Sequence, residues 1–361
     1  MKLKKILIFF FFLFCFEILF QFHYYIKYQG YLFNRVDLPI YQKSEVGCWK
    51  VKPNIEFTHN SDEFNYKIYT NKYSQRTISK ETKKLERSND KLVLFLGDYL
   101  TFGKGNNYDK TFAHLISKYY SNKKFKSINA SIPAQLPHRQ LCWFLNEGYK
   151  NKPDIIIQTI NNNLKLDIPN NRNKLINFCK KINKCEISNY TVRKNKLEKK
   201  EKSFFSTKFL KNSAIIYYSW KTLIHIKLKF FGNIDIKLER KLDIKFKEEH
   251  EKYFQNYINA VNSLSPKTKV IFLYIPNSYI IHPNDITRYS NKNLDDYFQE
   301  KIYKLSLLEY LENRFNLVNT FYELRLNNNE RLYNLIDTSL NQKGNKIVYN
   351  AFYKYCKIKE C

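Results

Sequence analysis

The stretch Lys91-Leu-Val-Leu-Phe-Leu-Gly-Asp-Tyr-Leu-Thr-Phe-Gly-Lys-Gly105 carries the reading of this chain. Leu92 to Leu96 are all apolar, the pattern of a strand covered on both faces. The run stops at Gly97-Asp98-Tyr99. Glycines at 97, 103 and 105 then permit a tight turn with close backbone approach. A buried strand that breaks into a polar, glycine-marked turn is where an open α/β sheet presents its ligand site.

Outward from this stretch, apolar strands alternate with helical patterns. Strands are expected at 91–96, 125–129, 154–160, 269–275 and 316–319. Helices are expected at 109–121, 136–150, 247–264 and 294–313, with a last one near 343–356. Such alternation implies βαβ units, a mostly parallel sheet and right-handed crossovers. Three further polar blocks follow strands or close the chain. They are Ser127-Ile-Asn129-Ala-Ser131-Ile-Pro-Ala134-Gln-Leu136, Pro153-Asp154-Ile-Ile-Ile-Gln-Thr-Ile-Asn161-Asn162-Asn163-Leu164, and Leu335-Ile-Asp337-Thr-Ser339-Leu340-Asn341-Gln-Lys-Gly344-Asn345.

In order and spacing these blocks resemble the SGNH/GDSL hydrolases, over roughly residues 50 to 355. The first is similar to apolar strand, Gly-Asp-Ser, Thr-Phe-Gly-x-Gly. The last is similar to the Asp-x-His-x-Asn-x-x-Gly terminus of the membrane-anchored, alginate-acetylation-like branch. Asn71 and Arg76 stand as in the Asn-x-x-Gly-Phe-Arg that precedes the first block there, with Ser74 and Gln75 departing from it. The resemblance implies a three-layer α/β/α, flavodoxin-like domain of mostly parallel sheet behind an N-terminal transmembrane helix. It also implies a set of site positions: Asp98 at the turn, Tyr99 in the nucleophile slot, Asn129 and Ser131 in the second block, Asn162 as the oxyanion asparagine, Asp337 as orienting carboxylate and Ser339 in the place of the base. Ala134 and Leu136 stand where glycines are usual, Asn161 replaces a glycine, and Asn163 an aspartate.

Two of these positions have changed chemistry. A phenol with a pKa near 10 is a poor nucleophile without a strong base. A serine takes no proton near pH 7. In an alternative Asp-x-x-His spacing the base slot holds Leu340, which is no base either. His138, after the second block, and His282, in the loop after strand 269–275, are the substitute bases the sequence offers.

The rest of the chain sets the context. Its 361 residues hold 62 Lys and Arg against 33 Asp and Glu, a net charge of +29. The basic excess comes mainly from lysine, amid abundant Asn, Ile, Phe and Tyr, so it reads as a compositional bias. Arginine, the preferred residue for base and phosphate forks, is sparse, and specific nucleic-acid binding is not expected. Attraction to anionic lipid or acidic glycan needs only charge density. Lys2, Lys4 and Lys5 precede an apolar run from Ile6 to Phe20, broken by Glu17. Residues 1–26 read as an uncleaved signal anchor in the inner membrane, with a cleaved signal peptide as the alternative. The positive-inside rule then leaves the N-terminus in the cytoplasm and the main domain periplasmic or extracytoplasmic.

Residues 27–85 read as a stem and N-terminal extension, with a half-buried strand at 66–71. Residues 86–356 form the catalytic-type domain, and a basic helical insertion occupies 170–246. Six cysteines follow Cys15, at 48, 142, 179, 185, 356 and 361. Local disulfides 179–185 and 356–361 are allowed, as are buried free thiols. No Cys/His spacing suits zinc, and no cofactor or metal is expected.

Three functions remain open on sequence. The first is a catalytically impaired SGNH-like protein that binds an acylated envelope glycan, or assists its modification with an envelope-assembly partner. The second is an active ester hydrolase, of the carbohydrate O-acyl esterase type, using Tyr99 or Ser131 with His138 or His282. The third is a basic surface binder of lipid or nucleic acid that does not use the cleft.

Overall fold

The computed structural model describes residues 2–28, 40–44, 49–61, 63–79, 91–133, 135–161, 168–169, 172–183, 190–193, 196–199, 213, 215–216, 218–219, 222–223, 244–282, 307–335 and 337–361. Helix α1 runs Lys2–Tyr28. Five short strands follow: β1 Tyr41–Lys43, β2 Trp49–Val51, β3 Glu56–Asn60, β4 Asn65–Thr70 and β5 Arg76–Thr77. The central domain then alternates β6 Lys91–Leu96, α2 Tyr99–Phe102, α3 Phe112–Ser121, β7 Phe125–Asn129, α4 Pro137–Asn146 and β8 Ile155–Ile160. Helix α5 Arg172–Asn183 and strands β9 Tyr190–Arg193 and β10 Lys196–Lys199 come next. The chain closes through α6 Ile244–Asn262, β11 Lys269–Tyr274, α7 Ser278–Ile281, β12 Leu317–Asn319, α8 Phe321–Leu326 and α9 Gln342–Lys359.

The five core strands form one sheet in the order β12-β11-β8-β6-β7, with every pairing parallel. Numbered within the sheet this is 2-1-3-4-5, the flavodoxin-like arrangement, whose switch point falls between strands 1 and 3. Those strands are β6 and β8. All five strands lie within a residue or two of the expected spans. Expected helix 294–313 falls largely outside the described residues, and helix 247–264 begins three residues earlier, at Ile244.

Burial explains why the central strands read as continuous apolar runs. Every residue of β8 is buried, as are Val93 to Leu96 and Val270 to Tyr274. Each large side chain so buried contributes on the order of 1.5–3 kcal/mol. The one strongly polar intruder, Gln158, is satisfied: its amide donates to Gln140 Oε1 at 2.7 Å, and Tyr257 Oη donates to its carbonyl at 2.5 Å. Asp154 ties the start of β8 to β6, accepting from Leu92 N at 2.8 Å and donating its own N–H to Leu92 O at 2.9 Å.

The N-terminal extension is a folded annex. β3, β4 and β5 form an antiparallel sheet, and β1 pairs with β2. Trp49, Val51, Tyr66 and Ile68 gather with Phe102 and Ile132 of the main domain into a second core. The insertion is not purely helical as expected, because β9 and β10 pair as an antiparallel hairpin within it. The alternating Tyr-Thr-Val-Arg of β9 suits a strand.

In α1 the described side chains run from Ile8 to His23, with Ile26, and nearly all of them are exposed. Among the described residues no helix is long and apolar enough to cross a membrane. The cysteines pair partly as expected. Cys356 joins Cys361. Cys179 bonds Cys142, 37 residues away, rather than Cys185, because α5 packs on α4. Cys48 and Cys185 lie outside the described residues, and Cys15 is a free thiol.

Candidate active site at the switch point

The turn after β6 is built by a glycine and a cap. A Cβ on Gly97 would fall 1.9 Å from Thr101 Oγ1, so no other residue fits there. Asp98 is the N-cap of α2 and accepts from Leu100 N at 2.9 Å. Its other oxygen accepts from Asn161 Nδ2 at 2.9 Å. Asn161 directly follows β8, so this bond bridges strands 1 and 3 of the sheet at their carboxyl ends, where α/β proteins place ligands. Burial raises the Asp98 carboxyl to about 6, against the Leu100 amide and the Asn161 side chain, which favour the carboxylate. Tyr99 is the first residue of α2 and partly exposed.

Arg76 holds the far end of this turn. Its guanidinium is buried and donates to the carbonyls of Phe102, of Gly103 at 3.0 Å and of Asn106 at 2.7 Å. It also lies 4.7 Å from the Phe102 ring centroid. A cation placed on the carbonyl end of α2 satisfies groups the helix leaves open. Burial lowers its pKa to about 10, with Tyr66 and Tyr108 opposing. Asn71 shapes the turn that delivers it, accepting from Tyr73 N at 2.9 Å and Gln75 N at 3.0 Å. The Asn-and-Arg pair seen in sequence is therefore scaffolding for the Gly97–Gly105 loop.

The second block is sealed rather than open. Asn129 donates to Thr101 O at 2.9 Å, and its carbonyl accepts from Ser131 Oγ at 2.5 Å and Ser131 N at 3.1 Å. Ser131 is 2 % exposed. Its hydroxyl is a lock for the loop. Trp49 from the annex donates to Pro133 O at 3.2 Å, and Gln135 Nε2 donates back to Trp49 O at 2.8 Å. Ala134 lies outside the described residues, as do Asn162 and Asn163. Leu136 sits at φ −79, an ordinary extended value, so the loop does not need the glycine usual there.

The terminal block lies against the Gly103–Gly105 loop. Asp337 forms an ion pair with Lys104 at 2.5 Å, and its backbone N–H donates to Glu63 Oε2 at 2.9 Å. Ser339 is completely buried, and its hydroxyl accepts from Asn334 Nδ2 at 2.9 Å. Gly105, at φ +83, leaves room for both: a Cβ there would lie 2.8 Å from Asn334 Nδ2 and 2.9 Å from Ser339 Oγ. Between Asp337 and Ser339, Thr338 sits at φ +63, an outlying conformation for a β-branched residue. Leu340 is buried too, its carbonyl accepting from Asn106 Nδ2 at 2.7 Å. Asn341 caps α9 by accepting from Gly344 N at 3.0 Å. A Cβ on Gly344 would meet Leu332 O at 2.3 Å.

The substitute bases have structural partners. His282 Nε2 accepts from Leu332 N at 3.1 Å. His138 is buried in the first turn of α4, 6.1 Å from the Phe178 ring. Sequence reasoning missed Asn161 as the bridge to Asp98, and missed Lys104, Glu63 and Asn334 around the terminal block. An asparagine in the family's glycine slot was the one available signal for Asn161. The other three come from distant segments and left none. Among the described residues no group of His, Cys, Asp and Glu is placed to hold a metal ion.

The sequence matches no protein-family model and no curated protein. Among solved structures the chain is similar to a lipase/acylhydrolase from Enterococcus faecalis, at 10% identity over 74% of this chain and 96% of that one, with a TM-score of 0.38. A lipase from a goat rumen metagenome matches at 12% identity over 73% and 97%, TM-score 0.39. A catalytic mutant of an acetylxylan esterase from Geobacillus stearothermophilus matches at 12% over 73% and 93%, TM-score 0.35. These overlaps are loose; the all-parallel sheet of order 2-1-3-4-5 carries the α/β, flavodoxin-like fold.

Proposed function

We propose that this chain is an extracytoplasmic SGNH hydrolase-like protein with impaired catalysis, which binds an acylated envelope glycan or assists its modification. The observation that carries the proposal is the state of the Asp337–Ser339 pair. The carboxylate that would orient a base is in an ion pair with Lys104, and the base position holds a serine sealed behind Gly105 and Asn334. Acyl transfer of this type needs a nucleophile, a base and an orienting carboxylate together. With Tyr99 in the nucleophile slot, all three roles have lost their ordinary chemistry. The retained parts, Asp98, Asn129 and the Gly97–Gly105 loop, keep the turn at the carboxyl end of β6 in place.

In this reading α1 anchors the domain in the inner membrane, with the N-terminus in the cytoplasm. Support comes from the sequence, in which Lys2, Lys4 and Lys5 precede the apolar run Ile6 to Phe20, broken by Glu17. The Cys142–Cys179 bridge suits an oxidising compartment. Resistance of the full chain to alkaline extraction from membranes tests the anchor, and release into the soluble fraction refutes it.

The alternative is an active ester hydrolase with a non-standard nucleophile and base. One observation favours it: strain such as that of Thr338 persists where function maintains it. Ester hydrolysis by the full chain decides between the two. An aryl acetate and an acetylated polysaccharide serve as substrates, with Tyr99→Phe and Tyr99→Ser/Ser339→His as variants. An inert native chain, with gain of turnover in the double variant, supports the impaired reading. Native turnover abolished by Tyr99→Phe overturns it.

A further inference from the structure

Glu17 is the only Asp, Glu, Lys or Arg between Lys5 and Lys27, and it stands inside the apolar run of α1. Both of its oxygens are taken by the protein itself. Oε1 accepts from Gln21 Nε2 at 2.7 Å, one turn on, and Gln21 is 5% exposed. Oε2 accepts from Ser213 Oγ at 2.9 Å and from Ile215 N at 3.1 Å, 196 and 198 residues away in the insertion.

The insertion segment that arrives there is the start of a helix. Ile215, Ile216, Tyr218, Ser219, Thr222 and Leu223 are helical. Ser213 Oγ accepts from Ile216 N at 3.4 Å, the bond of a capping serine. Glu17 places a carboxylate on the Ile215 N–H, a donor that a helix leaves open at its start, where negative charge is favoured. The contact continues along α1. The Tyr218 ring lies 5.5 Å from that of Phe20 and 6.0 Å from that of His23, centroid to centroid. Glu17 thus meets Ser213, and the residues after Glu17 meet a residue after Ser213, so the two segments run in the same direction.

In water a glutamate on a helix face would be served by solvent. In hydrocarbon a polar side chain must find its partners within the protein. Glu17, Gln21 and Ser213 serve one another, while the side chains around them are apolar and bare. Phe16, Ile18 and Leu19 on α1, with Ile216 and Leu223 on the insertion, are between 38% and 64% exposed. Glu17 is three residues, about 5 Å, from the Phe20 end of the apolar run. Just beyond, both segments turn aromatic in sequence, Phe22-His-Tyr-Tyr25 and Tyr217-Tyr-Ser-Trp220, as at a membrane–water boundary.

Resting on the reading of α1 as an anchor, we propose that Glu17 is the socket that seats the insertion on α1, and that the segment carrying Ser213, Ile216 and Leu223 lies with it in the outer interface of the bilayer. The partner of this surface is lipid. The main domain is then held to the membrane by two elements rather than one.

The test uses the full chain in phosphatidylcholine vesicles, with two readouts. For docking, Phe20→Cys/Tyr218→Cys in a Cys15→Ser background is treated with a short bis-maleimide, and the linked peptides are identified by mass spectrometry. The pair Phe9→Cys/Tyr218→Cys, with Phe9 about 16 Å further down the helix, is the control that should not link. For lipid contact, a diazirine carried on a lipid acyl chain labels the native chain, and label is expected both on α1 and on the peptide holding Ile216 and Leu223. Glu17→Leu is expected to lower label on that peptide at least about threefold while α1 stays labelled, and Glu17→Gln, which keeps one acceptor oxygen, to lower it less. Linking from Phe9 equal to that from Phe20, or none from Phe20, overturns the socket. Label on α1 but not on the Ile216 and Leu223 peptide overturns the proposal and leaves the anchor standing. Label on neither overturns the anchor, and the proposal with it. Unchanged label in Glu17→Leu overturns the role of Glu17.

Discussion

Asp98→Asn isolates the electrostatic cost of the switch-point carboxyl. In the folded chain this group is raised from 3.8 to about 6, chiefly by burial. A folded pKa above the unfolded one means that the native state holds the proton more tightly. Stability from this group is therefore fully present below pH 3.8 and is lost as pH rises through about 6. The displacement amounts to up to about 3 kcal/mol of destabilisation at pH 7, at 1.36 kcal/mol per unit. Asparagine caps a helix about as well as aspartate, so the bond from Leu100 N survives. The bond from Asn161 survives if that amide turns its carbonyl to the new donor; otherwise about 1 kcal/mol is lost. The net expectation is a gain of about 1–3 kcal/mol at pH 7 that shrinks toward zero near pH 4. Thermal melts of the full chain and the variant between pH 4 and 7.5 measure it, and a gain of that size raises the midpoint by several degrees. A variant less stable than the native chain at pH 7, or a difference that does not change with pH, refutes the reasoning. A carboxylate retained at such a cost is expected where function, and not stability, sets the residue.

Two further outcomes follow from the scaffold. Arg76→Lys keeps a charge but not the fork, leaving at least one of the carbonyls of Phe102, Gly103 and Asn106 unserved; a loss of about 2–4 kcal/mol in denaturant unfolding is expected, and a loss under about 0.5 kcal/mol contradicts the tether. Cys142→Ser/Cys179→Ser opens the crosslink between α4 and α5 and lowers stability by about 2–4 kcal/mol, whereas ready alkylation of both thiols in the unreduced native chain contradicts the bond.

Much of the fold was legible because strands buried on both faces must be apolar throughout. Lys91–Leu96, Ile155–Ile160 and Lys269–Tyr274 announce themselves for that reason, and the glycines after β6 mark where the sheet ends. The terminal block was equally legible as a motif, since Asn341 and Gly344 do local work, a cap and a close approach, within three residues. The sequence also determined that a phenol and a hydroxyl, Tyr99 and Ser339, stand at the positions the resemblance marks for nucleophile and base, and residue identity fixes which protons can move near neutral pH.

Tertiary structure alone decided how those positions are used. Asp337 meets Lys104, Ser339 meets Asn334, and Asp98 meets Asn161, 63 residues on. Cys179 passes over a neighbour six residues away to reach Cys142, and Arg76, matched in sequence only as part of a motif before the first block, acts as a strut for the Gly97–Gly105 loop. Local pattern is set by the period of a single element, so it can be read along the chain. Partners of polar groups are set by which elements the sheet order brings together, and an order of 2-1-3-4-5 makes neighbours of segments that no sequence spacing connects.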